Sequence, residues 1–137
     1  MYNSLKMIST VDYTLKKRST LRDLRAGRIS RWEACDAHPE MRRIARLSGE
    51  ATAASCPICG KLEIRHLHFV YGDELGPSSG RVYPSRDVRD GLNGEYSSFI
   101  CYVVEVCTAC CWNHLVRSLH FESNNGNGRA EKEARQG

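Results

Sequence analysis

The sequence lacks the features that would place the chain in a membrane or outside the cell. No stretch approaches the roughly 20 consecutive apolar residues that a membrane-spanning helix needs. Residues 1–10 contain neither the continuous apolar run nor the small-residue cleavage site of a secretory signal. These absences predict a cytoplasmic protein that has no membrane partner.

Motifs of familiar catalytic sites are also scarce. There is no His-Glu-x-x-His zinc-protease motif and no Gly-x-x-x-x-Gly-Lys phosphate loop. The glycine-rich stretch 72–81 ends in Arg81, but Asp73 and Glu74 at its start oppose anion binding and favour a solvated loop. We therefore predict that the chain is not an enzyme and binds no small-molecule substrate.

What the sequence does contain is cysteine. Four of its seven cysteines form two Cys-x-x-Cys pairs, Cys56/Cys59 and Cys107/Cys110. In a reducing compartment this pattern favours metal binding over disulfides. The two-residue spacer lets a tight turn aim two thiolates at one point, and Gly60 provides the positive φ that follows the first pair. The pairs predict one structural Zn²⁺ with four thiolate ligands.

Several alternatives to this ligand set remain open. Cys111 is able to replace Cys110 through a three-residue spacing, and a histidine is able to replace a cysteine. The histidine candidates are His66, His68, His114 and His120. A half-exposed polar role is favoured for all four, because four thiolates already complete a site. Cys101 is interpreted as a buried small hydrophobe, and Cys35 as structural.

The chain divides by composition into four segments. Residues 1–9 show no period and predict a flexible N-terminus, and residues 122–137 are polar throughout and predict a disordered tail. Residues 10–49 predict a helical segment and residues 50–121 a zinc-ribbon domain, with a long loop at 72–94. The predicted fold class is α+β.

Local signals refine both ordered segments. The segment 10–49 predicts three short helices, the second opened by a capping box from Ser30 to Glu33 and the third by Pro39 in its first turn. The ribbon predicts a three-stranded antiparallel sheet with strands in 61–71, 97–106 and 112–121. The 47 residues between Cys59 and Cys107 exceed the spacing of a compact ribbon, and the long loop absorbs the excess.

Positive charge is concentrated in the first part of the chain. Residues 1–50 carry eleven Lys/Arg against six Asp/Glu, whereas residues 51–137 carry nine against ten. This distribution suits a polyanion or an acidic protein as partner. The candidate contact residues are basic or aromatic: Lys16, Lys17, Arg18, Arg42, Arg43, Arg46, Trp112, His114 and Arg117. Solvated helix faces and ribbon core are the competing interpretations.

A series of motifs resembles a known family. The segments are Val11–Tyr13, Cys35–Pro39, Cys56–Cys59, Tyr71–Gly76, Ser79–Arg81, Val104–Cys107 and Trp112–Arg117. In this order they resemble an actinobacterial family of small zinc-ribbon proteins that is catalogued as a domain of unknown function. The resemblance covers roughly residues 10–121 and implies a cytosolic zinc-ribbon protein, but no activity. Cys111 departs from it, since Gly is expected there.

Two classes of function follow, and both are non-catalytic. By analogy with other zinc ribbons, the first is an accessory factor of the transcription or translation machinery that contacts RNA polymerase, the ribosome or RNA. The second is a protein–protein adaptor or regulator that does not bind nucleic acid. A zinc-linked redox switch is a further alternative, because thiolate ligands can be oxidised reversibly.

Overall fold

The computed structural model describes residues 5–94 and 96–123, which form helices and a mixed set of long and short strands. The helices are α1 (Thr14–Arg25), α2 (Arg31–Ala34), α3 (Pro39–Ser48), α4 (Ser85–Arg89) and α5 (Gly91–Gly94), with a 3₁₀ segment at Asp73–Ser78. The strands are β1 (Leu5–Asp12), β2 (Glu50–Ala51), β3 (Ile64–Tyr71), β4 (Arg81–Tyr83), β5 (Ser98–Cys107) and β6 (Asn113–Ser123). No helix in the described part of the chain is long and apolar enough to cross a membrane.

Local hydrogen bonds and Pro39 explain where the first three helices begin. The Asp12 carboxylate accepts from the backbone N–H of Thr14 at 2.7 Å. Ser30 and Glu33 form the predicted capping box, in which each side chain accepts from the other residue's backbone N–H. Pro39 occupies the first turn of α3, whose C-cap is Gly49. All three helices lie within the predicted segment 10–49.

The sheet is larger than the predicted three-stranded ribbon. The described residues contain six strands, in the order β1-β6-β5-β3-β2 with β4 paired to β3. The predicted strands correspond to β3, β5 and β6, while β1, β2 and β4 are additional. Both registered pairings involving β3 are antiparallel, with Ala51 opposite Arg65 and Phe69 opposite Val82. The α+β class is confirmed, but a three-helix N-terminus joined to a three-stranded ribbon is wrong.

The observed elements differ from three predicted segments for physical reasons. Strand β1 begins inside the predicted flexible segment 1–9, and its side chains at residues 6–12 are all exposed, so they leave no hydrophobic period. The predicted loop 72–94 contains the 3₁₀ segment, β4, α4 and α5, which are too short to give a periodic pattern. Of the predicted disordered tail, residues 122 and 123 belong to β6, and residues 124–137 lie outside the described part of the chain.

The chain comprises two compact units. The first, which we call the cysteine unit, contains residues 12–67 and 102–117. Its core is a cluster of buried residues: Ala34, Cys56, Ile64, Cys107 and Trp112. Helix α1 contributes Leu21 and Leu24 to the edge of this cluster. Apolar packing and two of the paired cysteines therefore share one core.

The second unit contains the described residues of 1–11, 68–101 and 118–137. The rings of Phe99 and Phe121 stack in it with centroids 5.2 Å apart. Gly72 allows a close approach, because a Cβ there would lie 2.9 Å from the Leu75 side chain and 3.2 Å from Phe99 Cβ. The turn-rich segment is thereby packed onto β5.

Candidate metal centre

The first cysteine pair lies in a tight turn between β2 and β3. The backbone N–H of Gly60 donates to the carbonyl of Cys56 at 2.9 Å, and Gly60 has a φ of +78°. The N–H of Cys56 donates to the carbonyl of Lys61 at 2.9 Å, which closes the base of the turn. The predicted role of Gly60 is therefore present in the structure.

The second pair lies between β5 and β6 and has the same construction. The N–H of Cys111 donates to the carbonyl of Cys107 at 3.0 Å, and the N–H of Cys107 donates to the carbonyl of Trp112 at 2.8 Å. Cys111 takes the position that Gly60 has in the first turn, with a φ of +71°. A non-glycine residue is thus held in the left-handed region at this point.

The four sulfur atoms converge. Sulfurs from different turns approach each other closely, with 3.6 Å between Cys56 and Cys110 and 3.7 Å between Cys59 and Cys107. All four sulfurs lie within 4.8 Å of one another. Sulfurs at about 2.3 Å from a common ion in a tetrahedron are about 3.8 Å apart. The group therefore matches the dimensions of a four-thiolate metal site.

Backbone donors surround the sulfurs in a repeated pattern. The N–H groups of Ile58 and Cys59 donate to Cys56, and that of Lys61 donates to Cys59. In the second turn the N–H groups of Ala109 and Cys110 donate to Cys107, and that of Trp112 donates to Cys110. Such donors spread the negative charge of a thiolate and orient it toward a cation.

Burial determines the direction of the pKa shift for three of the four thiols. It raises the pKa of Cys56 and Cys107, and raises that of Cys110 to about 12. At Cys59 burial also raises the pKa, but donation from the Lys61 N–H and the neighbouring thiols outweighs it, so the pKa is lowered. Since metal ligands must be deprotonated, cation binding here releases protons.

A fifth cysteine contacts this group. The Cys35 thiol, at the C-terminal end of α2, donates to the Cys110 sulfur at 3.7 Å. Backbone donation from Ala37 to the Cys111 carbonyl at 3.1 Å, and a 2.8 Å bond from the Asn113 amide to Asp36, hold this segment against the second turn. Sequence reasoning missed Cys35 as a neighbour of the site, because it belongs to no spaced pair.

The alternative ligands fall outside the cluster. Among the described residues, the group that brings ligand atoms together contains Cys110 and not Cys111, and it contains no histidine. His68 is buried in β3, and His120 lies 3.9 Å from the Glu122 carboxylate. His114 stacks on Trp112 with ring centroids 5.9 Å apart.

The predicted contact residues divide into two groups. Some have structural partners: Lys17 pairs with Glu105 at 2.9 Å, Arg43 pairs with Glu40 at 2.6 Å, and Arg42 donates to the Thr108 carbonyl at 2.7 Å. His114 also belongs to this group, because its Nε2 atom lies 3.3 Å from the Tyr13 carbonyl oxygen and its ring stacks on Trp112. Of the others, Lys16, Arg18 and Arg46 are exposed, and Arg117 is half-buried.

Trp112 needs a correction of its own. Its side chain is 1% exposed, and its indole N–H donates to the buried Glu105 carboxylate at 2.7 Å. A side chain in this position offers no face on which a base can stack. The competing interpretation, ribbon core, describes its place in the fold.

Two short segments match sequence patterns of catalytic sites but do not have the geometry of those sites. Gly76–Gly80 spells the Gly-x-Ser-x-Gly of a nucleophile elbow, but it lies at the end of the 3₁₀ segment instead of at a strand-to-helix turn. His38 and Glu40 have the spacing of a deaminase His-x-Glu, yet the His38 Nδ1 atom caps α3 by accepting from the Glu40 N–H at 3.0 Å.

Comparison with known proteins places the chain in a family. The model of a family of unknown function, DUF5318, matches residues 5–136. The chain belongs to this family. It is 40% identical over 108 residues to the uncharacterized proteins Rv0049 of Mycobacterium tuberculosis and Mb0050 of Mycobacterium bovis, which covers 79% of this chain and 78% of each relative. No solved structure matches the chain. The resemblance to an actinobacterial family of unknown function is confirmed.

Proposed function

We propose that this DUF5318 protein is a cytoplasmic, non-catalytic module built around one structural Zn²⁺, and that it serves as an accessory factor of the transcription or translation machinery. The proposed structural metal site rests on one observation, which is that four sulfurs from two turns converge. Tetrahedral four-sulfur sites favour zinc or iron. Four protein ligands also leave no coordination position for water or substrate, which supports a structural role and not a catalytic one.

The proposed role in transcription or translation rests on positively charged side chains that are exposed to solvent. Lys16, Arg18 and Arg46 are exposed cations in the cysteine unit. Cations held on a rigid metal-stabilised scaffold suit the phosphates of RNA in a polymerase or ribosome. A short single-stranded poly(U) RNA titrated with the full chain across a salt series tests this. We expect affinity to fall steeply with salt, whereas no binding even at low salt would favour a protein–protein adaptor.

A zinc-linked redox switch is a second candidate, favoured by the contact between Cys35 and Cys110. In this scheme one hydrogen peroxide takes up the Cys35 thiol proton and one proton from water and is reduced to two waters. The Cys35 thiol and the metal-bound Cys110 thiolate together lose two electrons and form an S–S bond. Loss of Cys110 as a ligand then releases the metal. Mild peroxide should release zinc from the wild type and from Cys111→Ser but not from Cys35→Ser. Equal release from all three proteins would eliminate this scheme.

A further inference from the structure

A cleft of about 420 Å³ lies in the cysteine unit beside the second cysteine turn. Three elements frame it: α3, the segment that follows the first turn, and the second turn itself. Four cationic side chains line it: Arg42, Arg46, Lys61 and Arg65. Within the described chain its lining includes one carboxylate, Glu63. The cleft therefore has a strong excess of positive charge.

Two of these charged residues are held in place by hydrogen bonds to the second cysteine turn. Arg42 donates through Nε to the Thr108 carbonyl at 2.7 Å and through Nη2 to the Ala109 carbonyl at 3.4 Å. Glu63 accepts from the Thr108 hydroxyl at 2.7 Å, and its carbonyl accepts from the Thr108 N–H at 3.0 Å. These bonds fasten α3 and the segment before β3 to the cysteine turn.

The other three cations are available to a ligand. Among the contacts within the described residues, no hydrogen bond or ion pair involves the side chain of Arg46, Lys61 or Arg65. Arg46 and Lys61 are exposed, and Arg65 is half-buried. Like charges around one cleft repel each other, and a bound anion relieves that repulsion.

Gly49 holds two of these cations together. A Cβ at this position would lie 2.5 Å from the Ala45 carbonyl oxygen and 2.8 Å from Arg65 Cβ. Only glycine permits so close an approach of the end of α3 to β3. The backbone of Arg46, in the last turn of α3, is thereby held near the backbone of Arg65 before any ligand binds. Such preorganisation reduces the entropy lost on binding.

A competing explanation is that the cations neutralise the net negative charge of a four-thiolate zinc centre. Arg42 fits that explanation, because its guanidinium bonds to carbonyls of the cysteine turn. In the described residues, no hydrogen bond from the side chain of Arg46, Lys61 or Arg65 reaches either turn. Their charges are therefore explained better by an external anion.

We infer that Arg46, Lys61 and Arg65 bind consecutive phosphates of a single-stranded nucleic acid, an inference that rests on the proposed RNA contact. Guanidinium groups match phosphate oxygens in two-pronged geometry. The described lining contains no aromatic ring on which a base would stack, and Ala109 is its one apolar side chain. The cleft is therefore expected to contact the phosphates of the nucleic acid and not its bases, so binding should not depend on sequence. The cleft also does not suit an apolar small molecule.

The test compares two triple variants of the full chain in binding to short poly(U) across a salt series. The cleft variant is Arg46→Gln/Lys61→Gln/Arg65→Gln. The matched control, Arg81→Gln/Arg86→Gln/Arg89→Gln, removes the same charge from exposed positions in the second unit. We expect the cleft variant to bind more weakly, with a log–log salt slope lower by about 2, or about 0.7 per lost contact. The control should keep the wild-type slope.

Further arms separate the possible failures. Arg46→Lys/Arg65→Lys should retain most of the binding, and zinc content and melting temperature should match the wild type in all variants. Equal weakening by both triple variants, or equal competition by polyglutamate of the same charge, would overturn the cleft as a phosphate site. Wild-type binding that the cleft variant leaves unchanged overturns this inference alone. Absence of wild-type binding overturns the proposed RNA contact together with it.

Discussion

At the scale of single residues, the position after each cysteine pair shows how one backbone need is met in two ways. Gly60 and Cys111 both have positive φ, at +78° and +71°. Only the first of them is glycine, which adopts this region without steric cost. Cys111, which stands where Gly was expected, therefore carries a local backbone strain and does not alter the turn, since its hydrogen bond to Cys107 matches that of Gly60 to Cys56.

Cys111→Gly should therefore stabilise the protein. Left-handed backbone costs a non-glycine residue about 1–2 kcal/mol, part of which is offset by the greater freedom of glycine in the unfolded chain. We expect a net gain of about 0.5–1 kcal/mol, measured as a rise in melting temperature of a few degrees. Metal content should not change, because Cys111 lies outside the ligand group.

The matched control is Gly60→Ala. A Cβ at Gly60 would meet no described atom within 4 Å, so the substitution isolates the conformational cost. It should lower the melting temperature by an amount similar to the gain from Cys111→Gly. If Cys111→Gly instead lowers the melting temperature and loses metal, the assignment of Cys110 as the ligand is wrong.

At the scale of elements, α1 is attached to the sheet by a buried charge. Glu105 on β5 is 6% exposed and accepts from both Lys17 on α1 and the Trp112 indole. The Lys17 side chain is 32% exposed, so the pair is half in contact with water. A carboxylate in this position is stable only while its partners remain.

Lys17→Met should therefore destabilise the protein by about 2 kcal/mol, because it leaves the Glu105 charge with the indole as its remaining described partner. Lys16→Met removes the same charge one residue away, from an exposed position, and should change stability by less than about 0.5 kcal/mol. Thermal unfolding in excess zinc measures both. Adding Glu105→Gln to Lys17→Met should recover part of the loss, and equal effects of the two lysine variants would refute the pairing.

Some helices and strands could be predicted from the sequence, and others could not. Strands β3, β5 and β6 carry β-branched and aromatic residues, and α2 and α3 carry capping signals, so local chemistry identifies them. Strand β1 joins the sheet as an edge strand with exposed side chains, and β2 has two residues. Their pairing depends on backbone hydrogen bonds to distant strands, which leave no periodic pattern.

At the scale of the whole molecule, some parts of the candidate site could likewise be predicted from the sequence and others could not. The four paired cysteines could be predicted because their spacing is a local property of two turns. Cys35 and the cleft around Arg65 could not, since they depend on contacts between residues far apart in the sequence, such as Arg42 with Thr108. The surplus of basic residues in 1–50 was visible, but only tertiary contacts distinguish Lys17 and Arg42, which are structural, from Arg46.

The claim on which all of this depends is that Cys56, Cys59, Cys107 and Cys110 hold one metal ion. Elemental analysis of protein purified without added metal tests it most directly, with Cys59→Ser as the comparison. We expect zinc in about a one-to-one ratio with the wild-type chain and clearly less in the variant. Wild-type protein that is folded yet contains neither zinc nor iron in near-stoichiometric amount would contradict the account.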